Sequence, residues 1–334
     1  MLSRTADNLF WMARHIERAE NTARVLDVAH RTSLLPLDIE GTEAYLWYAP
    51  LNITGCAASY ELKYGLARAE AVTRYMTLDP DNPASIYTCL RMARENARAV
   101  RGAITSEMWE VINATWLEFN RLSRQLDNEK FPDFFDWVKD RSHLFRGVTL
   151  GTILKDVALS FIRLGTFLER ADNTARILDV KYHILLPNVH DVGAAADYYQ
   201  WGSLLKSVSA FEAYRKIYRD VISPLRVAEL LILRDDMPRS LHACMNEVEA
   251  ELIVINGSSG REARRRAGEQ HAALHFGRIE DVFEQGLHEY LTDFLRHTNL
   301  MGQEIRNAYL ARRDQFAPIP IRKPAQIQQV PVTN

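Results

Sequence analysis

The sequence predicts an all-α protein: a helical bundle built from an internal duplication, with its halves related by a pseudo-twofold axis. Glycine is sparse, with 15 in 334 residues, and few segments show the period-two alternation of a half-buried strand. The stretch 17–28, ERAENTARVLDV, returns as 169–180, ERADNTARILDV, with ten of twelve positions identical. The displacement from 17 to 169, 152 residues, is too long for a solenoid, where repeats run about 20–50 residues. It indicates one half-molecule that was copied and fused.

The repeated stretch predicts a long helix in each half, the first over 3–32. Its apolar positions share one side at about 100° per residue. That side has alanine four residues apart, at Ala19 and Ala23 and again at Ala171 and Ala175. Small residues let a second helix approach closely. We therefore expect the two copies to lie side by side across the pseudo-twofold axis.

The remaining segments predict further helices. A second helix over 43–56 is matched by one over 198–218, and the prolines at 83 and 238 suit the first turn of the next helix. The predicted organisation is a single helical domain over 1–315, with repeat halves 3–100 and 155–255, a helical insert 104–154 and a C-terminal helix 271–313, followed by a proline-rich extended tail, 316–334.

Composition excludes several classes of protein. The net charge of −2 and the pI near 6.6 argue against a dedicated nucleic-acid binder, which carries a basic excess. The N-terminus lacks an apolar signal core, and no uninterrupted apolar run reaches about 18 residues. Three cysteines without paired spacing are typical of a reducing compartment. We expect a cytoplasmic protein with no membrane partner.

The two copies keep charged residues as well as apolar ones. These are Glu17, Glu20 and Arg24 in the first copy and Glu169, Asp172 and Arg176 in the second. Exposed ion pairs on a helix contribute only about 0.2–0.5 kcal/mol each, which is a weak reason for retention. Two stronger explanations stay open. One is a buried Glu–Arg network that fixes how the halves dock, where breaking a pair costs about 3–5 kcal/mol. The other is a ligand site lined by both copies.

An arginine stripe is the most unusual element of the first half. Arg91, Arg94, Arg98 and Arg101 fall within about 80° of arc on a helix. Such like charges repel, so something anionic should compensate them. Internal carboxylates such as Glu17, Glu20, Glu107 or Glu110 are one possibility, and an external carboxylate or phosphate is another, because the arginine fork binds two oxygens at once.

The second half provides a comparison for the stripe. Its equivalent positions hold Asn246, Glu249, Ile253 and Asn256, so the stripe exists once, which favours a function. An anion site, an internal salt-bridge lattice and an exposed face all remain open. Glu110 lies in the first turn of the next predicted helix, where the helix dipole also favours an acid.

No motif names a reaction. His271 and His275 have the i,i+4 spacing of metal ligands, but no Glu-x-x-His accompanies them, and we predict no metal. Phosphate-binding glycine loops and the nucleophile elbow of hydrolases are absent from the sequence. We therefore predict no cofactor, and whether the chain is an enzyme stays open at this stage.

The opening 24 residues, MLSRTADNLFWMARHIERAENTAR, closely resemble the bacterial alpha-E domain family. So do the RENAR block at 94–98 with Trp109-Glu110 and the LERAD block at 168–172. The resemblance covers about 1–313. It departs at Ala13, His15 and Lys155, where the family more often has Gly, Tyr and Arg.

The resemblance implies an all-helical protein of a kind typically encoded beside, or fused to, circularly permuted ATP-grasp proteins and transglutaminase-like peptidases. It thereby implies a role in making or modifying peptide or amide bonds. The family's acidic and arginine positions correspond to Glu17, Glu20, Arg24, Arg94, Glu95, Asn96, Arg98, Arg101, Glu169, Asp172 and Arg176. We expect these, with Arg14, Arg91 and Glu110, to form the substrate-binding set.

The leading hypothesis is a helical component of an ATP-grasp amide-ligase system that binds an anionic small molecule or peptide, or the ligase itself. The stripe would hold the anion, and the acids of the two copies would orient the arginines or bind an amine. One alternative is an enzyme in its own right that uses the Glu/Arg cluster for acid–base or amide-transfer chemistry. The other is a purely structural scaffold.

Overall fold

The predicted all-α class is confirmed. The computed structural model describes residues 1–34, 42–127, 130–184, 195–255 and 258–310, and these contain fifteen α-helices and no strand. The first seven helices are α1 (Ser3–Ser33), α2 (Thr42–Ile53), α3 (Ala57–Tyr64), α4 (Ala69–Leu78), α5 (Ile86–Ala99), α6 (Ser106–Leu122) and α7 (Phe131–Thr152). The other eight are α8 (Val157–Ile184), α9 (Ala195–Ser207), α10 (Phe211–Tyr218), α11 (Pro224–Ile232), α12 (Leu241–Ile255), α13 (Arg261–His275), α14 (Ile279–Gln285) and α15 (Leu287–Tyr309).

Two predicted helices are interrupted in the structure. The segment 198–218 forms α9 and α10, separated near Ser209, which has a left-handed φ of 54°. The predicted C-terminal helix 271–313 is instead the end of α13, all of α14 and then α15. Gly286 lies between the last two with φ of 99°, a conformation that glycine adopts without steric cost. The predicted tail 316–334 lies outside the described residues.

α1 and α8 form the centre of the molecule and carry the two copies of the repeated stretch. Ala19, Ala23, Ala171 and Ala175 are all 1% exposed or less, but Ala19 and Ala23 belong to one apolar core and Ala171 and Ala175 to the other, so they do not form a shared contact between the two helices. The tightest approach is at Gly165 of α8, where an added Cβ would lie 2.3 Å from a backbone oxygen of α1. Only glycine fits there.

No helix in the described part of the chain combines the length and apolar content needed to cross a membrane.

Two apolar cores flank this central pair. One includes residues of α2 to α7 together with the apolar side of the middle of α1. The other is built mainly from α8 to α15, with the N-terminal half of α1, Val25 and a few residues of α5, α6 and α7. Their largest buried side chains include Trp47 and Tyr60 in the first core and Trp201 and Tyr214 in the second. Trp47 and Trp201 are 154 residues apart in the sequence, as are Tyr60 and Tyr214.

Backbone contacts also recur at matched positions. Thr22 Oγ1 donates to the carbonyl oxygen of Ala84 at 3.2 Å, and Thr174 Oγ1 donates to that of Arg239 at 2.9 Å. The serine that follows each of these carbonyl groups caps a helix. Ser240 Oγ accepts from the Ala243 amide at 2.9 Å at the start of α12, and Ser85, at the matched position, caps α5 in the same way. These contacts fix the turn before α12 against α8, and that turn carries Arg239 toward α1.

Candidate functional site

The candidate site begins with two carboxylates on α1. The side chains of Glu17 and Glu20 are 2% and 0% exposed, although α1 also carries a full set of apolar core residues. Burying a carboxylate is costly unless it is paired and hydrogen-bonded. The surroundings of these two groups therefore determine what this region can do.

Reciprocal Glu–Arg pairs join α1 to α8. Arg170 of α8 donates through Nε and Nη2 to the two oxygens of Glu17, both at 3.0 Å. In the opposite direction, Arg18 of α1 donates through Nε and Nη2 to Glu169 at 2.5 and 2.8 Å. Arg14 Nε adds a third bond to Glu169 at 2.7 Å. Forked guanidinium–carboxylate pairs are strong and directional, so they fix how the two central helices dock.

Further arginines reach the same α1 carboxylates from other elements. Arg239, in the turn before α12, donates to Glu17 Oε1 at 3.0 Å, to Glu20 Oε1 at 2.5 Å and to Asn21 Oδ1 at 3.1 Å. Arg146 of α7 donates through Nη1 to Glu17 Oε2 at 3.0 Å and to Glu20 Oε2 at 2.5 Å. Three elements distant in sequence therefore converge on two side chains.

Arg24 completes the cluster from α1 itself. Its Nε donates to Glu20 Oε1 at 2.8 Å, and its Nη1 donates to Ser209 Oγ at 2.6 Å. Its Nη2 lies 3.2 Å from Nε2 of His143 on α7, which is itself 3.6 Å from Glu20 Oε1. Ser142 Oγ donates to Glu20 Oε2 at 2.6 Å. Glu20 is thus saturated with donors.

Positive charge exceeds negative charge in this cluster. The guanidinium groups of Arg24, Arg146, Arg170 and Arg239 surround the two carboxylates of Glu17 and Glu20. Four cations and two anions leave a net charge of plus two. We call these six residues the buried charge cluster.

The pKa directions agree with that excess. Burial alone would raise the pKa of Glu17, but Arg170 and Arg239 hold it below its ordinary value. Burial also acts to raise the pKa of Glu20, but its charged partners, Arg239 above all, lower it well below its ordinary value. Burial lowers the pKa of Arg239, and repulsion from Arg170 and Arg24 adds to this despite the two carboxylates. Both acids are therefore ionised at neutral pH, and Arg239 is under-compensated.

A solvent-open cleft of about 480 Å³ lies directly over the buried charge cluster. Its arginines, which we call the cationic wall, are Arg24, Arg146, Arg163, Arg170 and Arg239, and His143 also lines the cleft. Its apolar wall includes Phe145, Leu150, Leu159, Ile162 and Phe167. The ring of Phe167 lies 5.4 Å from the guanidinium carbon of Arg163 and 5.1 Å from that of Arg170, so the two walls meet at that ring. Arg163 is separately neutralised by Glu247 and Glu251.

The structure places the residues predicted from the sequence in separate parts of the molecule. Glu17, Glu20 and Arg24 belong to the buried charge cluster, and Arg24 also lines the cleft. Arg14 and Glu169 take part in the reciprocal pairing of α1 with α8. Asp172 and Arg176 form an i,i+4 ion pair at 2.7 Å on α8 and are not among the residues lining the cleft.

The arginine stripe lies elsewhere, on α5 and the turn after it. Arg94 donates to Asn113 Oδ1 at 2.9 Å and to Glu95 at 3.0 Å, and Arg98 pairs with Glu95 at 2.6 Å. The arginines also lie over aromatic rings. The guanidinium carbons of Arg94 and Arg101 lie 5.8 and 4.9 Å from the centre of the Trp109 ring, and that of Arg91 lies 5.6 Å from the centre of the Tyr87 ring. Asn96 is buried in α5, and Glu110 is exposed on α6.

The expected link between the stripe and the acids of the repeated stretch is not found. Among the described residues, no hydrogen bond or ion pair joins the stripe to Glu17 or Glu20. These acids orient Arg146, Arg170 and Arg239 instead. Anion binding by the stripe itself stays a prediction. Glu95 and the aromatic rings already compensate part of the positive charge of the stripe.

Sequence reasoning missed several residues that line the cleft or contact the buried charge cluster. The set comprises Ser142, His143, Arg146, Arg170, Ser209 and Arg239. Arg170 carried a usable signal, because both copies of the repeated stretch retain arginine there, at 18 and 170. The sequence signal for Arg239 was weaker: the matched position in the first half holds Ala84, so arginine occurs at only one of the two positions. Arg146 lies in the insert between the repeat halves, which offered no comparison.

The comparisons with known proteins fit this architecture. A family model named Alpha-E, described as a predicted alpha-helical domain with a conserved ER motif, matches residues 1–310. This chain has Glu-Arg dipeptides at 17–18 and 169–170, where α1 meets α8. Uncharacterized proteins of Mycobacterium bovis and of two strains of Mycobacterium tuberculosis are each 24% identical to it over 321 residues.

The alignment with these relatives covers 87% of this chain but 35% of each relative. The chain therefore spans about a third of the length of the curated relatives it matches. No solved structure matches it. Since the family model covers the chain from its first residue to the end of α15, this protein belongs to the Alpha-E family.

Proposed function

We propose that this protein is a helical component of an ATP-grasp-associated system that forms or modifies peptide or amide bonds, and that its cleft binds the anionic substrate of that system. The observation that carries the binding role is the net charge of plus two in the buried charge cluster. The system-level role is supported by the sequence resemblance, which implies circularly permuted ATP-grasp proteins and transglutaminase-like peptidases as neighbours. An ATP-dependent partner favours a cytoplasmic location.

The charge excess supports anion binding because the two carboxylates of the cluster compensate only part of its buried positive charge. Taking an ion out of water costs several kcal/mol even after the surroundings relax. An incoming carboxylate or phosphate would supply the missing negative charge. Guanidinium groups suit this task, since their planar forks match both oxyanions and stay charged at any physiological pH.

The two walls of the cleft indicate an amphipathic ligand. An anionic group would contact Arg24, Arg146 or Arg239, while an attached apolar group would pack on Leu159, Ile162 and Phe167. The volume of about 480 Å³ falls in the range of about 300–1,000 Å³ typical of small-molecule sites. A short peptide or acylated amino acid with a free carboxylate, or the corresponding acyl phosphate, has the required chemistry.

Acid–base catalysis by the cluster is less well supported. An efficient general acid or base has a pKa near the working pH. The pKa values of Glu17 and Glu20 are instead lowered by their arginine partners. These two carboxylates are better suited to holding arginines in place than to exchanging protons. The same contacts serve the scaffold role, because they join α1, α7, α8 and the turn before α12.

We also propose that the chain arose by duplication and fusion of a half-molecule. Support comes from the repeated twelve-residue stretch, the reciprocal Glu–Arg pairs between α1 and α8, and the matched threonine contacts of Thr22 and Thr174. The pairing of Glu17 with Arg170 and of Glu169 with Arg18 is what a twofold relation between the halves requires.

Calorimetric titration tests the binding role. The probes are inorganic pyrophosphate and an N-acetylated dipeptide with an apolar residue and a free C-terminal carboxylate, with its C-terminal amide as the matched ligand control. We expect saturable binding of the carboxylate form, weakened about 10- to 100-fold by Arg146→Ala, because a hydrogen bond to a charged group contributes about 1.5–3 kcal/mol. Arg98→Ala, on the 65% exposed stripe arginine, is the matched protein control.

Two outcomes would count against the binding role. Equal binding of the acid and the amide would mean that the cleft does not recognise the anion. A loss on Arg98→Ala with none on Arg146→Ala would move the site to the stripe. The system role is tested separately, by pull-down from the native host and by assaying the ATP-grasp partner with and without this protein. Full product formation by the partner alone would contradict an essential role.

A further inference from the structure

Three histidines come together away from the cleft, where α12 packs on α13. His242 lies in the first turn of α12, and His271 and His275 lie one turn apart on α13. One ring nitrogen of each falls within 4.8 Å of one ring nitrogen of the others. Their ring centres are 5.4–5.7 Å apart. The sequence predicted no metal because no Glu-x-x-His accompanies His271 and His275, whereas the structure adds a third histidine from another helix.

His242 is prepared as a ligand by its backbone contact. Its Nδ1 lies 2.8 Å from the carbonyl oxygen of Leu233, which can only accept, so Nδ1 carries the proton. Nε2 then has the free lone pair. This Nε2 is buried without a hydrogen-bond partner, in a residue that is 5% exposed. Buried polar atoms are normally satisfied, and a bound cation would satisfy this one.

His271 is held by a carboxylate. Its Nδ1 contacts Glu249 Oε2, which leaves Nε2 free to coordinate. Metal-binding histidines commonly donate their other ring N–H to a carboxylate or a backbone carbonyl, which fixes the tautomer and the ring direction. His242 and His271 show one of each arrangement. His275 is exposed on the solvent side, where its ring is free to adjust.

We propose that His242, His271 and His275 bind a divalent transition-metal ion of the class that prefers imidazole, with Zn²⁺ the best suited. Zn–N bonds of about 2.0–2.1 Å in a tetrahedral site place ligand nitrogens about 3.4 Å apart. The observed limit of 4.8 Å closes to that value by a movement of about 1 Å, which the exposed His275 can supply. Three protein ligands leave the fourth position to water or a solvent-borne ligand.

Such an ion would fasten α12 to α13. His242 lies three residues after Arg239, so the ion would anchor the helix whose preceding turn reaches the buried charge cluster. The proposal is independent of the proposed function, since none of the three histidines lines the cleft.

Metal titration of the untagged, chelator-stripped protein tests the site. The probes are Zn²⁺, followed by calorimetry and thermal unfolding, and Co²⁺, followed by its visible absorption. We expect one ion per chain, a higher Tm with Zn²⁺ and the intense absorption of tetrahedral cobalt. Glu249→Gln should weaken binding about 10- to 100-fold, as loss of an outer-shell partner typically does. His275→Ala should weaken it by at least as much.

The variants are chosen so that folding does not decide the result. His275 is exposed, so its replacement should leave the metal-free Tm unchanged, whereas the buried His242 is a poorer choice. His297→Ala, at an exposed histidine on α15, is the control and should bind the metal as the parent does. Absence of saturable Zn²⁺ binding, or equal binding by His275→Ala and the parent, would overturn the proposal.

Discussion

Replacing Glu20 by Gln should destabilise the protein strongly. Glu20 is fully buried and accepts from Arg24, Arg146 and Arg239. Glutamine keeps the shape but removes the charge, which leaves four guanidinium groups facing one carboxylate and raises the net charge of the cluster from plus two to plus three. Breaking a buried pair from one side costs about 3–5 kcal/mol. We expect a loss of that size in the free energy of unfolding.

Replacing Arg146 by Met should have a much smaller effect. Arg146 is 27% exposed, and its removal leaves Glu17 with Arg170 and Arg239. Glu20 keeps Arg24 and Arg239. The net charge of the cluster falls to plus one. Breaking a buried pair from one side is costly because it leaves a buried charge uncompensated, whereas here each carboxylate keeps two arginine partners and methionine retains the apolar stem. We expect a change within about 1 kcal/mol.

Urea unfolding near neutral pH, followed by both tryptophan fluorescence and circular dichroism, measures the two variants. The comparison uses the midpoint at unchanged slope, since a changed slope would report an altered denatured state rather than altered stability. A cost of 3 kcal/mol or more for Arg146→Met, on the order of that for a broken buried pair, would refute the charge-excess reasoning. The cluster would then be a closed lattice in which every member is structural, with no capacity left for a ligand.

Three further predictions test other parts of the structure. Burial would raise the pKa of Glu169, but the two arginines of α1 lower it from 4.5 to about 2, so its stabilisation is complete above the unfolded pKa and is lost as pH falls toward 2. Glu169→Gln should therefore flatten the acid limb of the stability profile by about 3 kcal/mol. Gly165→Ala should cost about 1–3 kcal/mol in urea unfolding, whereas Gly147→Ala, where an added Cβ meets nothing within 4 Å, should gain about 0.5–1 kcal/mol. Burial raises the pKa of Cys89 and Cys244 to about 12, so mass spectrometry should detect no alkylation by iodoacetamide until the protein unfolds.

Much of the centre of the fold could be predicted from the sequence because the repeated stretch supplied an internal comparison. The alanines of the repeated stretch indicated that α1 and α8 pack side by side, and the two helices do pack on each other, although Ala19 and Ala23 belong to one apolar core and Ala171 and Ala175 to the other. The retained acids indicated either a buried network or a site, and Glu17 and Glu20 belong to a buried network beneath a cleft. A residue kept in both copies, such as the arginine at 18 and 170, carries information that a single occurrence does not.

The location of the cleft could not be predicted, because the decisive arginines lack a pattern of their own. Arg146 is one arginine on an amphipathic helix, and Arg239 is one arginine in a turn. The arginine stripe had a clear periodicity, but its charges are partly compensated by Glu95 and by the Trp109 and Tyr87 rings, and it lies away from the cleft. Periodicity reports which residues share a face, whereas the partner of that face depends on tertiary packing.

The differences between the matched positions explain how a docking contact can also form a binding cleft. Ala84 and Arg239 both offer a backbone carbonyl to a threonine of a central helix, but only Arg239 has a side chain that reaches the acids of α1. Glu17 consequently faces three guanidinium groups, whereas Glu169 faces two. The reciprocal pairs account for docking and are common to both sides. The surplus charge comes from Arg146, which has no counterpart in the predicted repeat halves, and from Arg239, whose matched position holds Ala84, so the proposed anion site lies on the side of the central pair where those two arginines lie.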